Sequence, residues 1–411
     1  MLRRAFCILI ALLLALGSAH AMSRDEMRAL WQELSLSRSN ASPYAEGPDP
    51  VSFRAGALTQ AAQADALGCL NFLRAVAGLS PVTLNPLYTL RAQSGAMLLA
   101  ANDVLTHAPE QPEGMDDALY TTARAGAAQG NIAKFNWMRP EILIDGVTYF
   151  ARDDGDANLP TLGHRRWLLN PRMAETGFGL ANAESGMSYV TMYAVDDSNA
   201  DAQWSSVAWP AAGVFPVEMM LRDLAWSVSL NDDLYDPEAS APQVVLREET
   251  TGVAFSFDAL RGEGDGFCAF SREKCGSGSC IIFRPNLETA GINEYVQNQI
   301  WTVEITGLRL RDGGAAEISY CCEMISLYPQ DVANVELSVL EAALAPGGQL
   351  QLSAAVIPEY ADDLTLVWTS SDEAVAGVDE DGLVTAHAPG SCIITASSAN
   401  GRSDACRIAV Q

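Results

Sequence analysis

The sequence predicts a multidomain protein, in which a domain of mixed helices and strands precedes two all-β domains. The chain has 411 residues, which at roughly 150 residues per domain corresponds to two, three or four domains. Apolar residues recur at helical spacing between about positions 57 and 170. From Trp204 onward they alternate with polar residues, which is the period of a strand with one buried face.

Residues 1–21 have the three parts of a secretory signal peptide. Arg3 and Arg4 supply the positive charge, Ile8 to Leu16 form the apolar run, and residues 19–21 form the small-residue cleavage site. We therefore expect a secreted protein, either free outside the cell or associated with its surface. No other stretch reaches the roughly 18 apolar residues of a membrane span, so we expect no transmembrane segment in the mature chain.

The next residues, 22–56, are predicted to form an N-terminal leader with one short helix before a Ser/Pro/Gly-rich run. The first domain, residues 57–200, should then contain four helices and two strands. The second helix begins with an Asn85 cap and Pro86 at its first position. The predicted helices cover Leu58 to Val76, Pro86 to Leu105, Met115 to Ala128 and Pro140 to Asp153, and the strands cover Thr176 to Leu180 and Ser188 to Tyr193.

Two further domains are predicted from strand periodicity. Residues 201–329 contain six or seven short apolar-alternating segments separated by Gly/Asp/Asn turns, which indicates a β-sandwich. Residues 330–411 continue the same alternation and include an Asn400-Gly401 hairpin turn. Trp204, Trp209 and Trp226 in the middle domain either stack on sugars or, as we favour, fill the sandwich core.

The charge of the chain excludes one class of partner. There are 25 basic and 51 acidic residues, which gives a net charge of −26. A polyanion of this size is repelled by phosphate backbones, so we expect no nucleic-acid binding.

Eight cysteines follow the predicted signal peptide, and an even number in an oxidising compartment permits disulfides. Cys392 and Cys406 lie on the apolar side of adjacent predicted strands, which favours a disulfide across that hairpin. The spacing of Cys275, Cys280, Cys321 and Cys322 lacks the CxxC pairs of a zinc ribbon, so disulfides are expected there also. Cys69 falls on the buried side of the first helix, as a small apolar thiol does.

Several segments of the first domain resemble the CAP superfamily of cysteine-rich secretory, antigen 5 and pathogenesis-related 1 proteins. The resemblance covers about residues 57–195 and implies an α/β/α sandwich. It is carried by Asn71–Arg74, Gly78–Val82, Gly130–Ala133, Gly163–Pro171 and Gly177–Gly179.

The last domain resembles the bacterial Ig-like group 2 domain. The similarity lies in Val367–Asp372 and Asp381–Ala386. It implies a C-terminal Ig-like β-sandwich, of the kind used as a spacer or adhesion module on bacterial surface proteins.

Histidine points to the candidate site, because only three histidines follow the signal peptide and two of them lie in the first domain. His107 is predicted to end the second helix, and His164 to begin a short one. Two imidazoles brought together can bind one divalent metal. The resemblance carries both histidines onto the two histidine positions of the CAP groove, where two glutamates complete the set.

The acidic positions match less well. The Gly-Glu-Asn motif of the family occurs here as Gln129-Gly130-Asn131, so Gly130 replaces the first glutamate. Asp153, with Asp154 as its neighbour, fits the second acidic position. The sequence thus predicts a metal site of His107, His164 and Asp153 for a cation such as zinc or magnesium. In the alternative interpretation, His107 caps a helix C-terminus and His164 hydrogen-bonds in the core.

The surrounding polar residues are expected to have structural roles. We expect Arg165 and Arg166 to form ion pairs, one with Asp153 or Asp154 and the other with Glu175. The run from Asp154 to Asn158 resembles the start of a calcium loop, but the later positions lack the required Gly and Glu. We interpret it as an acidic loop.

These observations favour binding over catalysis. The chain has no GxSxG, HExxH or P-loop motif. A single aspartate also supplies few groups for general acid–base catalysis. The leading hypothesis is a binding module for a lipid, a sterol-like molecule, a peptide or a cell-surface glycan. The alternatives are a metal-assisted hydrolase that uses His107, His164 and Asp153, and an adhesin whose groove is vestigial.

Overall fold

The computed structural model describes residues 22–411, so the predicted signal peptide lies outside the described residues. The chain forms two compact units. The first contains the described residues up to Tyr295 together with Gln299–Ile325, and the second contains Val296–Asn298 and Ser326–Gln411. Between residues 22 and 411, no helix is both long and apolar enough to cross a membrane.

The helices of the first unit begin where the sequence supplies capping groups. The Thr59 hydroxyl accepts a hydrogen bond from the N–H of Ala62, and the Asn85 side chain accepts from the second and third residues after it. The helices are α1 (Arg24–Ser37), α2 (Gln60–Val76), α3 (Pro86–Asn102), α4 (Asp117–Ala128), α5 (Ile142–Arg152) and α6 (Gly163–Leu168).

A three-stranded antiparallel sheet lies among these helices. Its strand order is β4-β7-β6. Thr191 donates from Oγ1 to the carbonyl of Ala92 in α3 at 2.5 Å, and Val190 packs against Gly146 in α5. Since consecutive strand residues point to opposite faces, helices cover both faces of this sheet. The strands are β1 (Tyr44–Glu46), β2 (Ala57–Leu58), β3 (Thr83–Leu84), β4 (Gly130–Phe135), β5 (Glu175–Thr176), β6 (Phe178–Asn182) and β7 (Ser188–Tyr193).

The rest of the first unit is a β-rich region of two sheets that face each other. The four-stranded sheet has the order β14-β15-β10-β8, and the six-stranded sheet has the order β13-β12-β11-β16-β17-β9. Rings from the two sheets meet between them, with Trp226 and Trp301 at 6.2 Å and Phe257 and Phe283 at 5.7 Å between centroids. The strands are β8 (Ser206–Trp209), β9 (Gly213–Pro216), β10 (Trp226–Leu230), β11 (Gln243–Glu248), β12 (Ala254–Asp258), β13 (Glu263–Gly264), β14 (Gly266–Ser271), β15 (Cys280–Pro285), β16 (Ile300–Arg309) and β17 (Ala315–Ile325).

The second unit consists of short strands around a core that includes Ile394 and Ile408. Its sheets have the orders β18-β21, β19-β26-β25-β22 and β20-β24-β23. The strands are β18 (Asn334–Leu337), β19 (Glu341–Leu344), β20 (Gln349–Gln351), β21 (Ala354–Ile357), β22 (Leu366–Ser370), β23 (Ala376–Val378), β24 (Leu383–Ala386), β25 (Gly390–Ser398) and β26 (Ser403–Val410).

The structure does not show the predicted disulfides, because the eight cysteines among residues 22–411 are free thiols. Cys392 pairs with Ile408, and Cys406 pairs with Ile394. The two cysteines are therefore diagonal neighbours, whose Cα atoms are about 7–8 Å apart in such a ladder. Disulfides usually join Cα atoms at about 4.4–6.8 Å.

Other sequence predictions are confirmed or corrected by the structure. Cys69 is buried as expected, and burial raises the pKa of its thiol to about 11. Trp209 and Trp226 are buried, which supports their core interpretation.

The second predicted helix is too long, because α3 ends at Asn102 where Asp103 adopts a left-handed conformation with φ 49°. His107 therefore lies in the irregular segment beyond the helix.

Candidate functional site

The central feature of the candidate site is a hydrogen-bonded pair, Asp153 and His164. Asp153 follows the last residue of α5 in a left-handed conformation, with φ 49°. Its Oδ1 lies 2.9 Å from Nδ1 of His164, and its Oδ2 accepts from the N–H of Arg165 at 3.3 Å. The carboxylate is fully buried, while the imidazole is 16% exposed. Because a carboxylate only accepts, Nδ1 carries the proton, and Nε2 is the ring nitrogen available to a ligand.

The loop between these residues brings them together. It ends at Leu162, which precedes α6 with φ 46°, a conformation that is uncommon for a bulky side chain. The amide of Asn158 lies 3.2 Å from the same imidazole nitrogen, and Asn131 donates to the carbonyl of His164 at 2.9 Å. Asn158 was missed as a site residue, since only the folded loop places it beside the ring.

His107 is held by a different element. Its Nδ1 lies 2.9 Å from the carbonyl oxygen of Ala127, near the end of α4, and the residue is exposed. His107 thus contacts the C-terminal end of a helix, as the alternative interpretation predicted. However, that helix is α4 and not the helix that precedes His107. Among residues 22–411, no hydrogen bond connects His107 with the Asp153–His164 pair.

The predicted metal site requires His107, His164 and Asp153 to converge on one cation. In the described part of the chain, no three His, Cys, Asp or Glu side chains form a group that could hold a metal ion. Both oxygens of Asp153 are used by His164 and Arg165, so this aspartate orients the imidazole in the structure. Among the described residues, His107, His164 and Asp153 do not form one such group, and metal binding by them stays a prediction.

The position of the missing family glutamate is closed by backbone. A Cβ atom built on Gly130 would lie 2.7 Å from the carbonyl oxygen of Gly126 and 3.1 Å from that of Met192. Both neighbours are main-chain atoms of packed elements and cannot move as a flexible side chain would. A carboxylate at position 130 would therefore require the helix and sheet to separate.

The two arginines after His164 do not form the predicted ion pairs. Arg165 donates to the carbonyls of Ala151 and Arg152 and to the carbonyl of Ala225 in the β-rich region, at 2.6 to 2.7 Å. Its burial lowers the pKa of the guanidinium to about 10, and the nearby Asp153 carboxylate opposes this shift. Glu175 accepts from the side chain of Asn85 instead.

Arg166 extends further into the β-rich region and is also buried. It donates to the carbonyl of Thr161 at 3.0 Å and the hydroxyl of Ser271 at 3.2 Å, and to the carbonyls of three residues in the loop before β15. These carbonyl partners are Glu273, Ser277 and Gly278.

The same loop touches the backbone of α6. A Cβ atom on Gly276 would lie 2.5 Å from the carbonyl oxygen of Arg166. Leu159 and Leu162 pack with Ala225 and Ile282 in one apolar cluster. The β-rich region thus holds the helix that carries His164, an arrangement with no sequence signal beyond the Arg-Arg pair.

A row of aromatic rings extends from His164 to the surface. Tyr149 lies 6.4 Å from the imidazole, Phe135 lies 5.9 Å from Tyr149, and Trp137 lies 4.9 Å from Phe135. Trp137 is 46% exposed and the adjacent Met138 is 42% exposed. Burial, together with the nearby Asp154 and Asp153, raises the pKa of the Tyr149 phenol. The sequence does not indicate this row, because its members come from a strand, a loop and a helix.

The fold therefore defines a mixed helix–sheet domain with a carboxylate-oriented histidine, followed by β-rich structure. Residues 67–194 match the cysteine-rich secretory protein family, and residues 331–408 match the bacterial Ig-like domain of group 2. The chain thus contains a CAP domain and a C-terminal Ig-like domain, as the sequence resemblance implied.

Curated relatives match only short segments. One is a 3-O-alpha-D-galactosyl-alpha-L-arabinofuranosidase from Bifidobacterium longum subsp. longum, 48% identical over 14% of this chain and 5% of the enzyme. Another is a lacto-N-biosidase from Bifidobacterium bifidum, 43% identical over 19% of this chain and 7% of the enzyme. The matched segment is a small part of these long enzymes.

Solved structures are also similar only in part. An intimin mutant from EHEC O157:H7 is 23% identical, covers 18% of this chain and 45% of its own, and has a TM-score of 0.16. Domains 4 and 5 of the S-layer protein SbsC are 14% identical, cover 40% of this chain and 98% of their own, and have a TM-score of 0.19. These low scores support no functional conclusion.

Proposed function

We propose that this chain is a secreted CAP-domain protein that binds a ligand with an apolar body and a polar head group, such as a lipid or a sterol-like molecule. The observation that carries this proposal is the row of rings from His164 through Tyr149 and Phe135 to Trp137. Phe135 within this row is buried, whereas Trp137 and the adjacent Met138 are exposed. Contiguous exposed apolar surface rimmed by polar residues often marks an interaction site.

The two ends of the row offer different chemistry. Trp137 and Met138 present apolar surface, and a flexible thioether beside an indole adapts to ligands of varied shape. At the other end, Nε2 of His164 offers one hydrogen-bonding group in an orientation set by Asp153. A ligand with a hydroxyl or carboxyl head and a hydrocarbon body fits both ends, whereas a fully polar molecule uses only the second.

The remaining domains fit this proposal as carriers. The predicted signal peptide directs the chain out of the cell, and the C-terminal Ig-like domain spaces the CAP domain from an attachment point. Attachment to a cell surface, a glycan or a protein partner stays a prediction.

Titration with a fluorescent sterol and a fluorescent fatty acid tests the proposal. We expect saturable binding of at least one probe, weakened by Trp137→Ala and by His164→Ala. Tyr328→Ala is the matched control, because Tyr328 is 55% exposed and lies in the other unit. Equal binding by all variants, or no binding of either probe, would refute the proposal.

A metal-assisted hydrolase is the second candidate. One observation favours it: each imidazole is held at Nδ1 by an oxygen acceptor, as metal-binding histidines usually are. However, a catalytic zinc usually has three protein ligands, and His107 and His164 supply two. Calorimetry with zinc and with magnesium, on the native chain and the His107→Ala/His164→Ala double variant, decides between the candidates. One metal bound per native chain and none in the variant would favour the hydrolase.

A further inference from the structure

A cavity in the β-rich region has the chemistry of a second binding site. It has a volume of about 440 Å³ and lies between the end of β15, the start of β14 and the segment before β10. Ligand pockets commonly range from about 300 to 1,000 Å³. The cavity is therefore large enough for one or two sugar rings.

Two guanidinium groups line this cavity, in a chain where acids outnumber bases by 51 to 25. Arg284 is half-buried and donates from Nη1 to the carbonyl of Asp223 at 3.3 Å. Arginine has five N–H groups, and this is the one hydrogen bond that the Arg284 side chain makes within the described residues. The remaining N–H groups are available to an anion in the cavity.

The second guanidinium is held weakly. Arg222 lies 3.4 Å from the carboxylate of Asp223, with the two side chains 44% and 80% exposed. An exposed ion pair of this kind contributes about 0–1 kcal/mol, so a ligand carboxylate can replace Asp223 at small cost.

The other lining groups indicate what the ligand carries besides its anion. Asp223, Asn286 and Glu288 place hydrogen-bond acceptors around the same space. Two carboxylates disfavour a doubly charged phosphate, but they accept hydrogen bonds from hydroxyl groups. Phe267 is opposite Arg284 in the β14–β15 ladder and packs against the apolar cluster behind it. Its ring supplies a fixed apolar surface for the C–H face of a sugar.

We propose that this cavity binds a sugar acid, in which the arginines hold the carboxylate, the acidic side chains accept from the hydroxyls, and Phe267 contacts the ring. None of the residues that line the cavity belongs to the His164 site, and neither the sequence motifs nor the matched families assign it.

The test is calorimetric titration of the full chain with D-glucuronate, D-glucose and inorganic phosphate. We expect glucuronate to bind at least about tenfold more tightly than either of the others, because charge-assisted hydrogen bonds are the strong ones. Arg222→Met and Arg284→Met should each weaken glucuronate binding by a similar factor, and Glu288→Gln should weaken it less.

Arg261→Met is the matched control, because Arg261 is 72% exposed, is paired with Asp258 and does not line the cavity. Arg222 is also exposed, so its variant tests the site even if Arg284→Met fails to fold. Equal affinity for glucose, tighter binding of phosphate, or glucuronate binding unaffected by Arg222→Met would each overturn the proposal.

Discussion

Replacing Arg166 with Met should unfold the first unit far more readily than its position on a short helix suggests. The guanidinium is buried and donates to four carbonyls and one hydroxyl, most of them in the β-rich region. A buried polar group that loses its partner costs about 1–3 kcal/mol. Some of these acceptors will relax or find water, so the costs do not add in full. We expect a loss of about 3–5 kcal/mol, comparable with the breaking of a buried charge interaction.

Urea unfolding followed by tryptophan fluorescence and by circular dichroism measures this loss. Arg172→Met is the matched control, because Arg172 also reaches the β-rich region, through Asp233 at 2.7 Å, but is 41% exposed. That exposed pair should contribute about 0–1 kcal/mol. If Arg166→Met costs no more than Arg172→Met, the hydrogen bonds of Arg166 do not hold α6 against the β-rich region.

Two other substitutions test the interior of the CAP domain. Gly130→Ala should destabilise the CAP domain by about 1–3 kcal/mol, because the added Cβ overpacks against the carbonyl of Gly126. An unchanged melting temperature would contradict this expectation. Burial alone would raise the pKa of Asp196, but backbone N–H donors, first from Ala174, hold it below its usual value. Its stabilising effect is thus present above the unfolded pKa of about 3.9 and lost as the pH falls through the lower folded pKa. We therefore expect the melting temperature of Asp196→Asn to fall less steeply than that of the native chain as the pH is lowered. Melting temperatures that fall in parallel for the two proteins would contradict this expectation.

The sequence predicted those features of the fold that depend on residues close to one another along the chain. Asn85 and Pro86 located the start of α3, and Gly163 and His164 fall at the start of α6, as expected. The end of α3 was not predictable, because Asp103 adopts its left-handed conformation without a glycine or proline to indicate it.

The partners of the two arginines were beyond sequence reasoning for a different reason. Arg165 and Arg166 bond to atoms between 60 and 112 residues away in the β-rich region. Opposite charges nearby in the sequence suggested ion pairs, yet a buried guanidinium is satisfied equally by carbonyl oxygens when its five donors can reach them. Whether a buried arginine bonds to a carboxylate or to carbonyl oxygens depends on tertiary packing and not on composition.

Gly130 and the buried arginines together explain how this site differs from the family pattern. Main-chain atoms of Gly126 and Met192 leave no room for a side chain at position 130, where the family has its glutamate. The remaining acid, Asp153, is used to orient His164, while Arg166 fixes the helix from the β-rich region. An apolar ligand with one polar head needs only a single oriented imidazole beside aromatic rings. The structure contains that imidazole and those rings.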